Sequence, residues 1–120
     1  MNVLVVEDEA LVAMIAEEAL SSLGFEPRSA RSAGEALAQF ETVAPALAVI
    51  DVGLPDLRGD ELAERLRAMA PDLPIVVASG YDEAELKARF SHDSKIRVVA
   101  KPYTEDDLAR ATRALGFGQA

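Results

Sequence analysis

Residues 46–59 read Ala-Leu-Ala-Val-Ile-Asp-Val-Gly-Leu-Pro-Asp-Leu-Arg-Gly, and the arrangement of the whole chain can be built outward from this segment. An apolar run enters Asp51, and Pro55 and Gly59 follow it. This pattern predicts a buried strand that carries one carboxylate at its carboxyl end. An ionised carboxylate in such a place is costly unless it is paired, hydrogen-bonded or bound to a metal. We therefore expect other residues to converge on Asp51.

The size of the chain fits one domain. It has 120 residues, half of them hydrophobic, which is enough for a single core covered on both sides. We expect residues 1–120 to form one domain with no separate output domain. The first apolar run, residues 3–6, is too short for a signal-peptide core or a membrane span.

The charge balance narrows the classes of partner. With 21 acidic and 12 basic residues the formal net charge is −9, so the sequence offers no basic patch and direct nucleic-acid binding is not expected. Cysteine is absent, which excludes disulfides and thiolate metal sites and is compatible with a reducing cytoplasm. We expect a soluble cytoplasmic protein without a membrane partner.

Short apolar runs alternate with stretches that have helical spacing. Strands are predicted over residues 3–6, 26–30, 46–51, 75–78 and 96–100. The apolar stripes of the predicted helices are Val12, Ile15, Ala16, Ala19, Leu20 and Leu23; Ala33, Ala36, Leu37 and Phe40; Leu62, Ala63, Leu66 and Met69; Ala84, Leu86 and Phe90; and Leu108, Ala111 and Leu115. Ser32, Asp82 and Thr104 are predicted amino-terminal caps, whereas Gly24, Gly116 and Gly118 end helices.

Alternating strands and helices of this kind predict an α/β protein with a parallel sheet and helices on both faces. Pro27 removes a hydrogen-bond donor from the second strand, so that strand belongs at a sheet edge. The flavodoxin-like strand order 2-1-3-4-5 satisfies this requirement. In such sheets the functional site lies at the carboxyl ends of the strands where the order reverses, which here means strands one and three.

Polar residues follow four of the predicted strands: Glu7 and Asp8, then Asp51, Ser79 and Lys101. Three carboxylates brought together repel one another by about 4 kcal/mol per pair at 4 Å and an effective dielectric near 20, so a cation is expected among them. Because only oxygen ligands are offered, a hard divalent ion such as Mg²⁺ fits best. The formal charges of the three carboxylates, one Mg²⁺ and the Lys101 ammonium cancel. This balance leaves Asp51 ionised and able to attack a phosphoryl group, and the Ser79 hydroxyl can donate a hydrogen bond to a phosphoryl oxygen.

Taken together, these residues resemble those of the receiver domain of two-component response regulators, along essentially the whole chain. The resemblance rests on the acidic pair Glu7-Asp8, Asp51 with Pro55 and Gly59 behind it, Ser79, and Lys101-Pro102.

This resemblance implies a signalling phosphoacceptor that catalyses its own phosphorylation and dephosphorylation and is not otherwise an enzyme. Asp51 would take a phosphoryl group from the phosphohistidine of a sensor histidine kinase or of a histidine phosphotransfer protein, or from a small phosphodonor. Asp8, Asp51 and the backbone carbonyl of Gly53 would bind Mg²⁺, with Glu7 often acting through water. Lys101 would pair with the acceptor and then with the phosphoryl group, Ser79 would reorient toward it, and the Lys101-Pro102 bond would be cis.

One position departs from the family pattern. The family usually has Tyr or Phe three residues before its lysine, as a switch that moves on phosphorylation, and this chain has Val98 there. The segments Val-Ala-Ser-Gly-Tyr at 77–81 and Lys-Pro-Tyr at 101–103 are similar to those of a stand-alone receiver subgroup with a Phe-Ala-Thr-Gly-Tyr-like motif. The candidate switch or interface residues are therefore Gly80, Tyr81, Pro102 and Tyr103.

The resemblance also suggests how a signal would leave the domain. A downstream protein would bind the face formed by strand four, strand five and the last helix, and a second copy of the chain is a further candidate partner. The alternative within the family is a degenerate receiver that acts as a phosphorylation-independent binding module.

Two other functions compete with this interpretation: a flavin carrier, which would share the fold, and a phosphatase with an aspartyl nucleophile. A flavin carrier needs phosphate-binding donors after the first strand, and the acidic residues 7–9 oppose that. A phosphatase with an aspartyl nucleophile, by resemblance, has a second acid two positions after the nucleophile, where this chain has Gly53.

Overall fold

The structure is a computed structural model that describes residues 1–117, so the predicted helix stop at Gly118 lies outside the described residues. Strands and helices alternate along these residues. In chain order they are β1 (Asn2–Val6), α1 (Ala10–Ser22), β2 (Glu26–Ala30), α2 (Ala33–Thr42), β3 (Leu47–Asp51), α3 (Gly59–Met69), β4 (Ile75–Ser79), α4 (Glu83–Arg89), β5 (Ile96–Ala100) and α5 (Glu105–Ala114).

The sheet confirms the predicted topology. All neighbouring strands are parallel and the order is β2-β1-β3-β4-β5. The strand that contains Pro27 lies at an edge, and β1, β3 and β4, which lie inside the sheet, are almost entirely buried. The apolar runs predicted the inner strands because only a strand covered on both faces dispenses with polar alternation.

Helices cover both faces of the sheet. Ala16, Leu20 and Leu108 place α1 and α5 against one face, together with Val5 and Val49 of the sheet. The opposite face packs against α2, α3 and α4 through Ala36, Ala63, Leu66, Leu86 and Phe90. None of the helices within residues 1–117 combines the length and the apolar character needed to cross a bilayer.

Three apolar side chains do not face the core as their spacing predicted. In α1, Ile15 is 56% exposed and Ala13 is buried in its place, because the helix turns its small alanines toward the sheet. Met69 is the last residue of α3 and is exposed where the helix ends. Ala84 is exposed because the short α4 buries Leu86 and, at its carboxyl end, Phe90.

Side chains cap two helices as the sequence predicted. Ser32 Oγ accepts a hydrogen bond from the Glu35 N–H at 3.1 Å. Thr104 and Asp107 form a reciprocal capping box at the start of α5. Gly24 ends α1 at a φ of +95°, a backbone conformation that favours glycine.

The predicted cap of α4 is wrong in one respect. Asp82 occupies the amino-terminal cap position of α4, but its side chain makes no capping hydrogen bond. Its carboxylate instead accepts a hydrogen bond from Arg58, which is 24 residues earlier in the chain. A partly exposed ion pair with a residue from another loop therefore takes the place of the local capping contact.

Candidate functional site

The strand register brings residues from distant parts of the sequence to one edge of the sheet. Val6 pairs with Ile50, so Glu7 and Asp51 emerge side by side from β1 and β3. Ser79 pairs with Ala100, which places Lys101 directly beyond the end of β4. The predicted meeting of these strand ends is confirmed.

A single ammonium group joins two buried carboxylates. Lys101 Nζ lies 2.9 Å from Asp51 Oδ1 and 3.2 Å from Glu7 Oε1, and both carboxylates belong to buried residues. Burial lowers the pKa of Lys101, but its hydrogen bond to Asp51 and the charges of Asp51 and Glu7 raise it by more, so the ammonium stays protonated. The three side chains form a compact charged unit.

The ionised form of Glu7 is destabilised by this arrangement. Burial raises the pKa of its carboxyl above the ordinary value, and the neighbouring charge of Asp51 adds to the effect. The Glu9 N–H, which donates to Glu7 Oε2 at 3.2 Å, and Lys101 offset only part of the rise. One more positive charge would therefore relieve the site.

Glu7, Asp8 and Asp51 form a group suited to hold that charge. Each offers one carboxylate oxygen, and these oxygens lie within 4.8 Å of one another. Glu7 and Asp51 are buried whereas Asp8 is exposed, so the group opens to solvent on one side. An all-oxygen donor set of this kind suits a hard divalent cation.

Ser79 lies in the same groove as Asp51 and Lys101 but makes different contacts. Its hydroxyl oxygen accepts hydrogen bonds from the N–H groups of Tyr81 and Asp82, at 3.3 and 3.0 Å. The buried hydroxyl therefore fastens the loop between β4 and α4 to the edge of the site.

Two glycines lie close to Asp51 and leave room for it. A Cβ at Gly53 would lie 3.4 Å from Asp51 Oδ2, at the limit of an ordinary contact. A Cβ at Gly59 would lie 2.0 Å from the backbone oxygen of Asp51, which no real structure tolerates. Gly59 also donates its N–H to the Val52 carbonyl at 2.9 Å, so the first turn of α3 rests directly on the end of β3.

The candidate switch residues differ in their surroundings. Tyr81 is 99% exposed, whereas Tyr103 packs against the layer of α1 and α5. Burial raises the pKa of Tyr103 to about 12, with a further contribution from the charge of Glu7. The Lys101-Pro102 bond is cis, as the resemblance implied, and a Cβ at Gly80 would meet no atom within 4 Å. The switch roles of these residues stay predictions.

Comparison with known proteins agrees with this geometry. Residues 3–113 match the family model of the response regulator receiver domain. The chain belongs to the response regulator receiver family. In structure, this receiver domain resembles the receiver domain of NtrX from Brucella abortus, with a TM-score of 0.84, 31% sequence identity, and coverage of 97% of this chain and 99% of that one.

Its relatives in sequence are longer proteins. Sensor kinase CckA of Brucella abortus is 32% identical over 116 residues, which are 95% of this chain but 12% of that protein. The probable transcriptional regulatory protein TcrX of Mycobacterium tuberculosis is 30% identical over 114 residues, 95% of this chain and 49% of that protein. The chain thus spans half or less of these relatives' length.

The sequence did not reveal a second group of charged residues near the carboxyl end of β3 in this receiver domain. Asp60 is buried at the start of α3, its Oδ1 lies 3.1 Å from Arg58 Nε, and its other oxygen pairs with Arg89. Arg58 also pairs with Asp82, and Arg89 with Glu64. We call these residues the Arg58–Asp60–Arg89 network.

The network holds a negative charge inside the protein. Burial raises the pKa of Asp60, but the hydrogen bond from Arg58 and the charges of Arg58 and Arg89 lower it by more, so it lies below its ordinary value. No periodic pattern marks these residues, since Arg89 is 29 positions from Asp60. The one local signal was an arginine and an aspartate on either side of Gly59.

Proposed function

We propose that this receiver domain accepts a phosphoryl group on Asp51 and signals through a phosphorylation-dependent change in protein binding. The donor would be a phosphohistidine of a sensor histidine kinase or of a histidine phosphotransfer protein. The observation that carries the proposal is the contact of Lys101 with Asp51 and Glu7 beside a third carboxylate, Asp8. This arrangement keeps an ionised oxygen nucleophile next to a positive charge.

The transfer step is a substitution at phosphorus. A carboxylate oxygen of Asp51 forms a bond to phosphorus while the bond from phosphorus to the donor imidazole nitrogen breaks and that nitrogen keeps the electron pair. The product is an acyl phosphate on Asp51. Lys101, already in contact with Asp51 Oδ1, would donate to the phosphoryl oxygens, and Ser79 would turn its hydroxyl toward them.

Glu7, Asp8, Asp51 and the backbone carbonyl of Gly53 would hold Mg²⁺. The cluster fits this ion because its donors are all oxygens and because the ammonium of Lys101 leaves part of the negative charge unbalanced. Bound Mg²⁺ supplies positive charge that lowers the cost of bringing a phosphoryl group to an acidic site. Attack of water on phosphorus would break the bond from phosphorus to the Asp51 oxygen, release inorganic phosphate and return Asp51 to its free carboxylate.

We further propose that the domain signals in the cytoplasm through contact with other proteins. A downstream protein would bind the face of β4, β5 and α5, where a groove between α4, β5 and α5 is lined by Val98, Pro102 and Ala111. A second copy of the chain could use the same face. The absence of a nucleic-acid partner stays a prediction, because relatives include a transcriptional regulatory protein.

The alternative, a degenerate receiver that binds partners without phosphorylation, is disfavoured by the residues present. Such a domain has no need of an acceptor, a lysine and an acidic cluster all in contact. Those features occur together at the strand ends here.

The direct test is transfer from a small phosphodonor, acetyl phosphate, in the presence of Mg²⁺. We expect the mass of the intact protein to increase by one phosphoryl group. This added mass should persist in acid and be lost in base. Asp51→Asn should abolish the increase, whereas Asp72→Asn, which changes an exposed acid in the turn before β4, should not. Equal labelling of the Asp51→Asn variant and the wild type would refute the assignment.

A further inference from the structure

A second positively charged residue, Arg58, lies in the groove that contains the acceptor. This groove is lined by Asp51, Lys101 and Ser79 from the strand ends and by Arg58 and Asp82 from the loops beyond them. Lys101 is engaged by Glu7 and Asp51. Arg58 also lines this groove, but its ion-pair partners are Asp60 and Asp82 and not Asp51.

The two ends of the Arg58 guanidinium are held unequally. Its Nε contacts Asp60 Oδ1 at 3.1 Å, and Asp60 is only 3% exposed. Its Nη2 contacts Asp82 Oδ2 at 3.3 Å, and there the side chains are 53% and 39% exposed. Exposed ion pairs contribute little to stability, whereas a buried carboxylate depends on its partners. Arg58 thus has one firm anchor and one contact that is easily exchanged.

The exposed ion pair between Arg58 and Asp82 connects the groove to α4. Asp82 is the amino-terminal cap residue of α4, and Arg89 near the other end of that helix pairs with Asp60. The loop before α4 is held to the acceptor groove by side-chain contacts from Ser79 and Arg58. Loss of the Arg58 contact would leave this loop, which carries the fully exposed Tyr81, held by the Ser79 contacts alone.

We propose that Arg58 is a phosphoryl-binding residue of this receiver domain, and that it exchanges Asp82 for the phosphoryl group on Asp51 while its Nε stays on Asp60. The inference rests on the proposed phosphoacceptor function. A phosphoryl group carries close to two negative charges and three acceptor oxygens, whereas Asp82 offers one charge. The planar guanidinium suits the phosphoryl group because it can donate two parallel hydrogen bonds.

The exchange also links phosphorylation to the surface of the domain. When Arg58 turns to the phosphoryl group, Asp82 loses its ion-pair partner. The amino terminus of α4 then loses one of the side-chain contacts that hold it to the groove around Asp51. Val98 occupies the position of the family's aromatic switch, so the charge exchange gives this chain a route from Asp51 to α4 that needs no aromatic residue there.

The test compares binding of beryllofluoride, a phosphoryl mimic, by the full chain at a fixed Mg²⁺ concentration. Arg58→Gln should weaken binding about 10-fold, because it removes charge-assisted hydrogen bonds to the mimic. Arg58→Lys keeps the positive charge beside Asp60 but lacks the parallel N–H donors of the guanidinium, so its loss of beryllofluoride affinity should be intermediate. Asp82→Asn should tighten binding about 2- to 5-fold, because it frees Arg58 from an exposed ion pair.

Weaker beryllofluoride binding by Arg58→Gln together with tighter binding by Asp82→Asn would distinguish the exchange from an ion pair with a purely structural role. The double variant should bind like Arg58→Gln alone, since the gain from Asp82→Asn requires Arg58. Lys87→Gln, which breaks an exposed ion pair with Glu83 on the same helix, should leave binding unchanged.

Two outcomes would overturn the inference. If Asp82→Asn and Arg58→Gln weaken binding equally, the pair only holds the loop in place. If Arg58→Gln binds as the wild type does, Arg58 makes no contact with the phosphoryl group. Failure of the wild type to bind beryllofluoride at all would instead overturn the proposed function, and this inference with it.

Discussion

Lys101 is the residue on which the charge balance of the site depends. It is the ammonium in contact with both Glu7 and Asp51, which are buried and close to each other. Without it, two carboxylates would face each other in a region of low dielectric. Stability and chemistry at this site therefore depend on the same side chain.

We predict that Lys101→Met lowers the free energy of unfolding in metal-free buffer at pH 7 by about 3 kcal/mol, because it leaves buried charges without their partner. Added Mg²⁺ should restore part of this loss, since a bound cation replaces the missing positive charge. Urea denaturation with and without Mg²⁺ measures both effects. Lys95→Met, a change at an exposed lysine, is the control and should be nearly neutral; an equal loss in both variants would refute the prediction.

Asp60 provides a pH-dependent contribution to stability. Its folded-state pKa lies below the ordinary value, so its contribution is fully present above the unfolded pKa of about 3.9 and disappears as the pH falls through the folded value. We predict that Asp60→Asn costs about 2 kcal/mol at pH 7 and that the cost shrinks as the pH is lowered from 5 to 2. Denaturation at a series of pH values checks this, and a cost that stays constant over that range would contradict it.

At the scale of elements, the contact between α3 and the end of β3 restricts residue 59 to glycine. We predict that Gly59→Ala lowers the free energy of unfolding by about 2 kcal/mol, because its Cβ would collide with the backbone of Asp51 and Val52. Gly80→Ala is the matched control, since a Cβ there meets no atom within 4 Å. Urea unfolding of both variants tests this, and equal stabilities would show that α3 can move away freely.

Most elements could be predicted from the sequence, because strands and helices leave local patterns. β2 and β5 lie where their apolar and turn residues indicated, and Pro27 placed β2 at the edge of the sheet. The exposed Ile15 was mispredicted because spacing identifies an apolar stripe but not which side of the stripe meets the sheet. Packing of small alanines decided the rotation of α1.

The candidate site could be predicted in part for the same reason. Glu7, Asp51 and Lys101 stand at strand ends, so topology alone brought them together. The Arg58–Asp60–Arg89 network could not be predicted, because its ion pairs depend on how helices settle against loops. Asp56 is a similar case: it accepts hydrogen bonds from the N–H groups of Ala33 and Gly34, which lower its pKa, although it lies 22 or more residues away.

At the scale of the whole molecule, the fold gathers an excess of negative charge at a point where a cation is useful. The net charge is −9, and three of the acids meet where β1 and β3 end, the place at which the strand order reverses. Parallel α/β sheets have their sites at this position, because the chain leaves a crevice between oppositely directed connections. In this receiver domain the cluster of acidic residues therefore lies at the crevice beyond the ends of β1 and β3.

We propose that Glu7, Asp8 and Asp51 share one divalent cation so that Asp51 can accept a phosphoryl group. The most direct measurement is the rate of phosphate incorporation from acetyl phosphate as Mg²⁺ is titrated at constant ionic strength, for the wild type and for Asp8→Asn. We predict no incorporation in the presence of a chelator and a saturable rise with Mg²⁺ in the wild type. In Asp8→Asn the rise should shift to at least about 10-fold higher Mg²⁺, because one carboxylate ligand is lost. Incorporation that proceeds equally in chelator, or identical Mg²⁺ dependence in the two proteins, would contradict it.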